Sequence, residues 1–222
     1  MRGVLVALAA ISAFAVPSVA GAQATTRPCG AAEEPGPACL LARQVITSLP
    51  AGDVYWHLDR FSSRTAASAA GIRSSVVVEA FGSTWLFTVA SKGWRARKGK
   101  HVADVGPLQV APASSYTAEY LRSVFLPGTT APLHTHSGPE AFFALTGDTC
   151  LESPNRARVA RGRGNSLMIE AGPPMLLMAI GKVSRRGFAL ILHDANQPAT
   201  TMTKAWQPQG LCAARFAADQ TQ

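Results

Sequence analysis

The stretch GTTAPLHTHSGPEAFFALTG, residues Gly128–Gly147, decides the fold class of this chain. It places His134 and His136 one residue apart, and Glu140 follows after a turn at 137–139. Side chains two residues apart on an extended strand point to the same side, and the turn can bring the carboxylate back to them. Neutral imidazoles and a carboxylate suit Fe, Mn, Ni, Cu or Zn. The stretch therefore predicts a divalent metal site held by a short strand.

The fixed spacing within this stretch resembles the first motif of the cupin family at all its defining positions, which are Gly128, His134, His136, Glu140 and Gly147. The resemblance covers roughly residues 110–195. It implies an all-β fold, a cupin-type double-stranded β-helix (jelly-roll barrel) with additional N-terminal strands and a short helix. It also implies a bound divalent metal ion, with Fe or Mn favoured and Zn, Ni or Cu as alternatives.

The second cupin motif aligns with GNSLMIEAGPPMLLMA, residues 164–179, and departs from the family pattern. Gly164 and Gly172 match, whereas Met175 stands where cupins have their third histidine and Ala179 where they have an asparagine. Three interpretations follow. The site is a 2-His-1-carboxylate centre with open positions, or the Met175 thioether becomes a ligand and favours copper, or the site has degenerated and binds metal weakly or not at all.

The resemblance implies a metal-dependent enzyme, dioxygenase-like or isomerase-like, that acts on a small organic molecule. Glu140 is the candidate catalytic residue, because a carboxylate that leaves the metal can shuttle a proton. The alternative is a non-catalytic cupin module that binds or senses a small ligand or a metal. Phe142, Leu145 and residues 175–178 predict a pocket with apolar walls, and a homodimer is a further expectation by resemblance.

The N-terminus has the pattern of a signal peptide over residues 1–22. Arg2 precedes an apolar run, Val4–Val16, which is too short to span a bilayer comfortably and is followed by small residues suited to cleavage. No later stretch is long enough to cross a membrane. We therefore expect a periplasmic or secreted protein. Its formal net charge of +8 favours anionic partners, and export argues against nucleic acid.

The four cysteines of the chain lie beyond the predicted signal peptide. An even number in an oxidising compartment predicts disulfides rather than free thiols. Three pairings are open, and we favour Cys29–Cys39, which closes a short loop, together with Cys150–Cys212, which ties the C-terminal tail to the main sheet.

The remaining sequence predicts an N-terminal region, residues 23–105, that packs on a barrel core, residues 106–200, followed by a tail, residues 201–222. Apolar residues at helical spacing predict a helix over 39–49, and a second short helix is predicted over Arg64–Ala70. Short apolar runs separated by turn residues predict strands elsewhere. Basic residues cluster at 91–106 and 156–163, where the sequence predicts solvated loops or, alternatively, surfaces for anionic ligands.

Overall fold

The computed structural model describes residues 26–154 and 156–221, so the predicted signal peptide lies outside the described residues. The described chain is mostly β-structure with two helices. Its elements are β1 (Gly36–Ile46), β2 (Val54–Phe61), α1 (Arg64–Ala70), β3 (Ser75–Ala80), β4 (Ser83–Ser91), β5 (Lys100–Leu108), β6 (Tyr116–Phe125), β7 (His134–His136), β8 (Glu140–Thr146), β9 (Asp148–Ser153), β10 (Arg156–Ala160), β11 (Ser166–Ile169), β12 (Leu176–Ile180), β13 (Arg185–Asp194), β14 (Thr200–Met202) and α2 (Leu211–Gln220).

Two antiparallel sheets form the barrel. The inner sheet has the strand order β1-β6-β13-β8-β11. The facing sheet begins as β10-β9-β12 and continues into the pair β7-β14, because isolated bridges join Thr130 to Met178 and His134 to Met175. We call this second sheet the ligand sheet, since β7 carries the two motif histidines. The apolar residues between the two sheets form the barrel core.

A third sheet, the outer sheet, has the order β3-β4-β2-β5 and packs on the other face of the inner sheet. Strand β6 is consequently buried along its whole length. Because side chains alternate across a strand, Tyr120 joins the core against the outer sheet whereas Leu121 joins the barrel core. On β13, Phe188 and Ile191 divide in the same way. The inner sheet is therefore a wall shared by two cores.

The helix predictions have opposite outcomes. Residues 64–70 form α1 as predicted, with the side chain of Ser63 accepting a hydrogen bond from the Ala66 amide at its N-terminus. The predicted helix over 39–49 is wrong, because most of this segment belongs to β1, which pairs with β6. The predicted basic loop is shorter than expected, since β5 begins at Lys100. Helix α2 was not predicted.

Both favoured disulfides are confirmed. Cys29 bonds to Cys39 on β1, and Cys150 on β9 bonds to Cys212 on α2. Two disulfides are consistent with an extracellular or periplasmic protein. Among the residues the structure describes, neither helix has the length and apolar character that a membrane crossing requires.

Candidate metal centre

Strand β7 brings the two motif histidines together. The rings of His134 and His136 lie edge to face with their centroids 4.6 Å apart, which is the same-side placement expected for alternate residues of a strand. The chain then turns tightly at Gly138, where a Cβ atom would lie 2.0 Å from the carbonyl oxygen of Leu192. Only glycine allows this approach, which places Glu140 at the start of β8 beside the histidines.

The three motif side chains converge on one point. One ligand atom from each of His134, His136 and Glu140 lies within 4.8 Å of the others. His136 Nε2 and Glu140 Oε2 are 2.9 Å apart, both are buried, and neither has a hydrogen-bond partner among the described residues. The two atoms are thus close but not aligned as donor and acceptor. Buried polar atoms without partners are costly, and a shared metal ion would satisfy both.

The other ring nitrogens fix the tautomer of each histidine. His134 Nδ1 lies 2.5 Å from the carbonyl oxygen of Pro132, and His136 Nδ1 lies 2.9 Å from that of Ala199. A carbonyl oxygen only accepts, so each Nδ1 carries the proton. Each Nε2 lone pair is then free, which is the arrangement of metal-binding histidines whose second nitrogen donates to a backbone carbonyl.

The electrostatics of the two histidines differ. Burial and the neighbouring His136 lower the pKa of His134, so its imidazole is neutral at physiological pH. Burial acts in the same direction on His136, but the charge and contact of Glu140 outweigh it and raise the pKa of His136. Glu140 therefore favours a positive charge at this position, whether a second proton on His136 or a metal ion.

Met175 lies next to this cluster. Its amide donates a hydrogen bond to the carbonyl oxygen of His134 at 3.1 Å, and its side chain is 1% exposed within the barrel core. The cavity beside these candidate metal ligands has a volume of about 340 Å³, and its walls are mainly apolar. Residues from both barrel sheets and from the N-terminal segment line it, among them Arg27, Leu121, Ser123, His134, His136, Glu140, Phe142, Met175, Leu177, Ala189 and Ile191.

No protein-family model matches the chain, and no curated protein matches it either. Solved structures that are similar over part of the chain include an oxalate oxidase in complex with the substrate analogue glycolate, at 20% identity and a TM-score of 0.34. The match covers 39% of this chain and 46% of that one, so it spans less than half of the oxalate oxidase.

Two further matches are a cupin superfamily protein from Desulfitobacterium hafniense and the DMSP lyase DddQ from Ruegeria pomeroyi. The first has 14% identity, a TM-score of 0.32, and coverage of 35% of this chain and 68% of that one. The second has 18% identity, a TM-score of 0.34, and coverage of 39% and 43%. The assignment of the fold rests on the two facing sheets, with the motif histidines on β7 and the motif glutamate on β8. The fold is a jelly-roll barrel of the cupin type.

The barrel also contains a charged residue that the sequence analysis did not predict. Arg185, on β13, is 1% exposed. Its Nε donates to Thr149 Oγ1 at 2.9 Å, its Nη1 donates to Ser123 Oγ at 2.8 Å, and its Cζ lies 5.8 Å from the ring centroid of Phe142. Burial lowers the pKa of Arg185 to about 10, so the guanidinium remains charged at neutral pH. The sequence signal that could have identified it is its spacing: Arg185 lies four residues before Ala189 on an apolar strand, and so on the same face.

Other titratable residues of the barrel and the outer sheet lie outside this cavity. Glu170 is exposed just after the end of β11. His57 is a satisfied structural histidine, with Nδ1 2.6 Å from Asp104 Oδ1 and Nε2 3.0 Å from the Ser91 carbonyl oxygen. The arginines at 156–163 lie on and after the β9–β10 hairpin and do not line the cavity.

Proposed function

We propose that this chain is an exported, metal-dependent cupin enzyme that acts on a small organic molecule by dioxygenase-like or isomerase-like chemistry. The observation that carries the proposal is the buried pair His136 Nε2 and Glu140 Oε2, close together and without hydrogen-bond partners among the described residues. The donor set is two neutral imidazoles and one carboxylate, which fits Fe or Mn and also accommodates Zn, Ni or Cu.

His134, His136 and Glu140 would hold the ion, and the carbonyl oxygens behind the two Nδ1 atoms would keep the rings oriented. When bound, a divalent metal supplies Lewis-acid chemistry and, for Fe or Mn, redox chemistry. Glu140 has a second oxygen near the same cavity and would accept or return a proton there. The apolar walls would hold the organic body of the substrate and keep bulk water away from the reacting atoms.

Met175 supports a second candidate function, a non-catalytic module that binds or senses a ligand or metal. The residue occupies the position of the third cupin histidine, and its buried side chain packs with the apolar core. A thioether is a weak ligand for Fe and Mn, so the centre would have three strong protein ligands instead of four. A storage or sensing site tolerates that loss more readily than a redox enzyme does.

Metal analysis of the exported, disulfide-bonded protein tests the proposal. We expect near-stoichiometric Fe or Mn by mass spectrometry and loss of the metal in His134→Ala and His136→Ala. His101→Ala is the matched control, because this histidine lies on β5 outside the cavity and its removal should leave the metal content unchanged.

The outcomes separate the two candidate functions. Absence of bound metal in a folded wild-type protein, with no uptake on reconstitution, would remove the enzyme proposal. Stoichiometric zinc without turnover on any small organic substrate would favour the binding module. Circular dichroism of each variant establishes that the fold is intact before the metal content is compared.

A further inference from the structure

The barrel core contains a positive charge that no acidic side chain neutralises by contact. Arg185 Nη2 has no hydrogen-bond partner among the described residues, although the other two nitrogens of the guanidinium are bonded to hydroxyl oxygens. Within residues 26–154 and 156–221, no carboxylate forms an ion pair with it. The Glu140 carboxylate acts on the guanidinium only from a distance, without bonding to it. A buried charge without a bonded counter-charge is unfavourable, so this group is suited to an anion that the fold itself does not provide.

Arg185 does not itself line the cavity beside the candidate metal ligands, but its guanidinium lies behind side chains that do. Ser123 and Phe142, which contact the guanidinium, both line the cavity. On β13, Arg185 shares a face with Ala189, which also lines the cavity, and the residue between them on that face is Gly187. Because glycine has no side chain, the arginine can extend along the strand toward the cavity without obstruction.

The charges around the cavity point to an anionic ligand. Glu119 faces the barrel side of β6, but its carboxylate is bound by Arg43 at 2.5 Å. Glu140 is the one carboxylate in the metal-ligand group, so a divalent ion bound there would leave the site positively charged. Arg27, at the N-terminal edge of the cavity, adds a further exposed cation. The apolar walls, in contrast, suit an uncharged organic body.

We propose that the cavity binds a small organic acid, whose carboxylate pairs with the Arg185 guanidinium while its apolar body lies against Leu121, Phe142 and Ile191. Arginine is well suited to this role because its planar fork matches the geometry of a carboxylate. The inference deepens the proposed function and rests on it for the identity of the cavity as the ligand site. It does not depend on which metal is bound or on turnover.

The test compares benzoate with benzamide, a neutral analogue of nearly equal size. Binding is measured by isothermal titration calorimetry and by the shift in melting temperature, first with the protein as purified and again after chelation of metal. We expect benzoate to bind at least about tenfold more tightly than benzamide in both states, because a charge-assisted hydrogen bond is lost with the neutral ligand.

Arg185→Met should bring the affinities for benzoate and benzamide to within about twofold of each other, while the metal content stays at the wild-type level. Arg163→Met is the matched control, because it removes the same charge from an exposed loop and should keep the preference for benzoate. Arg185→Lys retains the charge with fewer donors and should weaken the preference without abolishing it. If Arg185→Met does not fold, the inference is tested by comparing benzoate and benzamide binding in the wild type and in Arg185→Lys.

Equal binding of the two ligands by the wild type, or binding of neither, would overturn the inference. Full retention of the benzoate preference in Arg185→Met or Arg185→Lys would also overturn it. A wild-type protein that binds no metal but discriminates benzoate from benzamide through Arg185 would refute the proposed metal-dependent enzyme and leave the organic-acid site standing. A protein that binds metal but does not discriminate benzoate from benzamide would refute the organic-acid site and leave the proposed metal-dependent enzyme standing.

Discussion

Removal of the Cys150–Cys212 disulfide should destabilise the protein more than removal of Cys29–Cys39. The bonded residues are separated by 62 positions in the first case and by 10 in the second. The chain-entropy relation for loop closure converts these separations into about 4.3 and about 2.7 kcal/mol at 25 °C. The expected difference in unfolding free energy is therefore about 1.6 kcal/mol from the unfolded chain alone.

Packing around the longer-range disulfide increases this difference. Cys150 and Cys212 are fully buried against Met178 and Ile180, so substitution by alanine also leaves unfilled space. The carboxylate of Glu152, itself buried, accepts a hydrogen bond from the Cys212 amide at 3.0 Å and depends on the same docking of α2. The observed loss for the Cys150→Ala/Cys212→Ala variant should therefore reach or exceed the entropic value.

Equilibrium denaturation in urea measures both double-alanine variants against the wild type, with melting temperature as a second readout. Wild-type protein unfolded with and without a reductant is the internal control for the sum of the two effects. Equal losses in the two variants, or a larger loss for Cys29→Ala/Cys39→Ala, would refute the reasoning from loop length and packing.

Four further predictions concern the candidate metal centre. Met175→His should restore the fourth cupin ligand and tighten binding of Mn or Zn in a competition titration with a chelator, whereas Met175→Leu should leave it unchanged unless the thioether is a ligand. Gly138→Ala should cost about 1–3 kcal/mol in urea denaturation and reduce metal content, because its Cβ would collide with Leu192. Metal affinity should fall as the pH is lowered, beginning above the usual histidine pKa, because Glu140 raises the pKa of His136 and a proton there competes with the ion. In the metal-free protein the sign for stability is opposite: the His136–Glu140 contribution is complete below about pH 6.5 and is lost as the pH rises through the raised pKa, which melting temperatures across pH would show.

The candidate metal ligands could be predicted from the sequence because all three lie within one strand-turn-strand segment. The spacing of His134 and His136 depends only on strand alternation, and the turn at Gly138 is visible as a glycine beside a proline. The paired strands β3 and β4 were predictable for the same reason, since the hairpin that joins them is local. Such features need no information about distant parts of the chain.

Residues 39–49 show where local pattern fails. Leu41, Val45 and Leu49 have helical spacing, yet the segment pairs with β6, and Val45 is 57% exposed. Pairing is supported by the contact between Arg43 and Glu119, which are 76 residues apart. β1 is also irregular, with register shifts that interrupt the alternation expected of a strand. Tertiary pairing thus overrides an apparent helical period.

Arg185 was missed for a different reason. Two consecutive arginines before an apolar strand usually mark an exposed strand end, and Arg186 does form a partly exposed ion pair with Glu33. Which of the two arginines faces inward depends on the register of β13 between β6 and β8, and that register is set by long-range pairing. Helix α2 was missed because its docking depends on the disulfide and on Glu152 rather than on a strong apolar face.

The strand order of the inner sheet has a consequence for how the chain reaches its native state. β13 follows both β6 and β8 in the sequence, yet it lies between these two strands, which do not pair with each other. Both β6 and β8 emerge from the ribosome or the translocation channel well before residues 185–194. Until β13 pairs with them, each strand therefore has one edge with unpaired backbone N–H and C=O groups. Late insertion of a central strand makes folding slow and exposes the intermediate to aggregation. Assembly of the barrel therefore cannot be completed before β13 has emerged, and protection of those edges should govern the yield of folded protein.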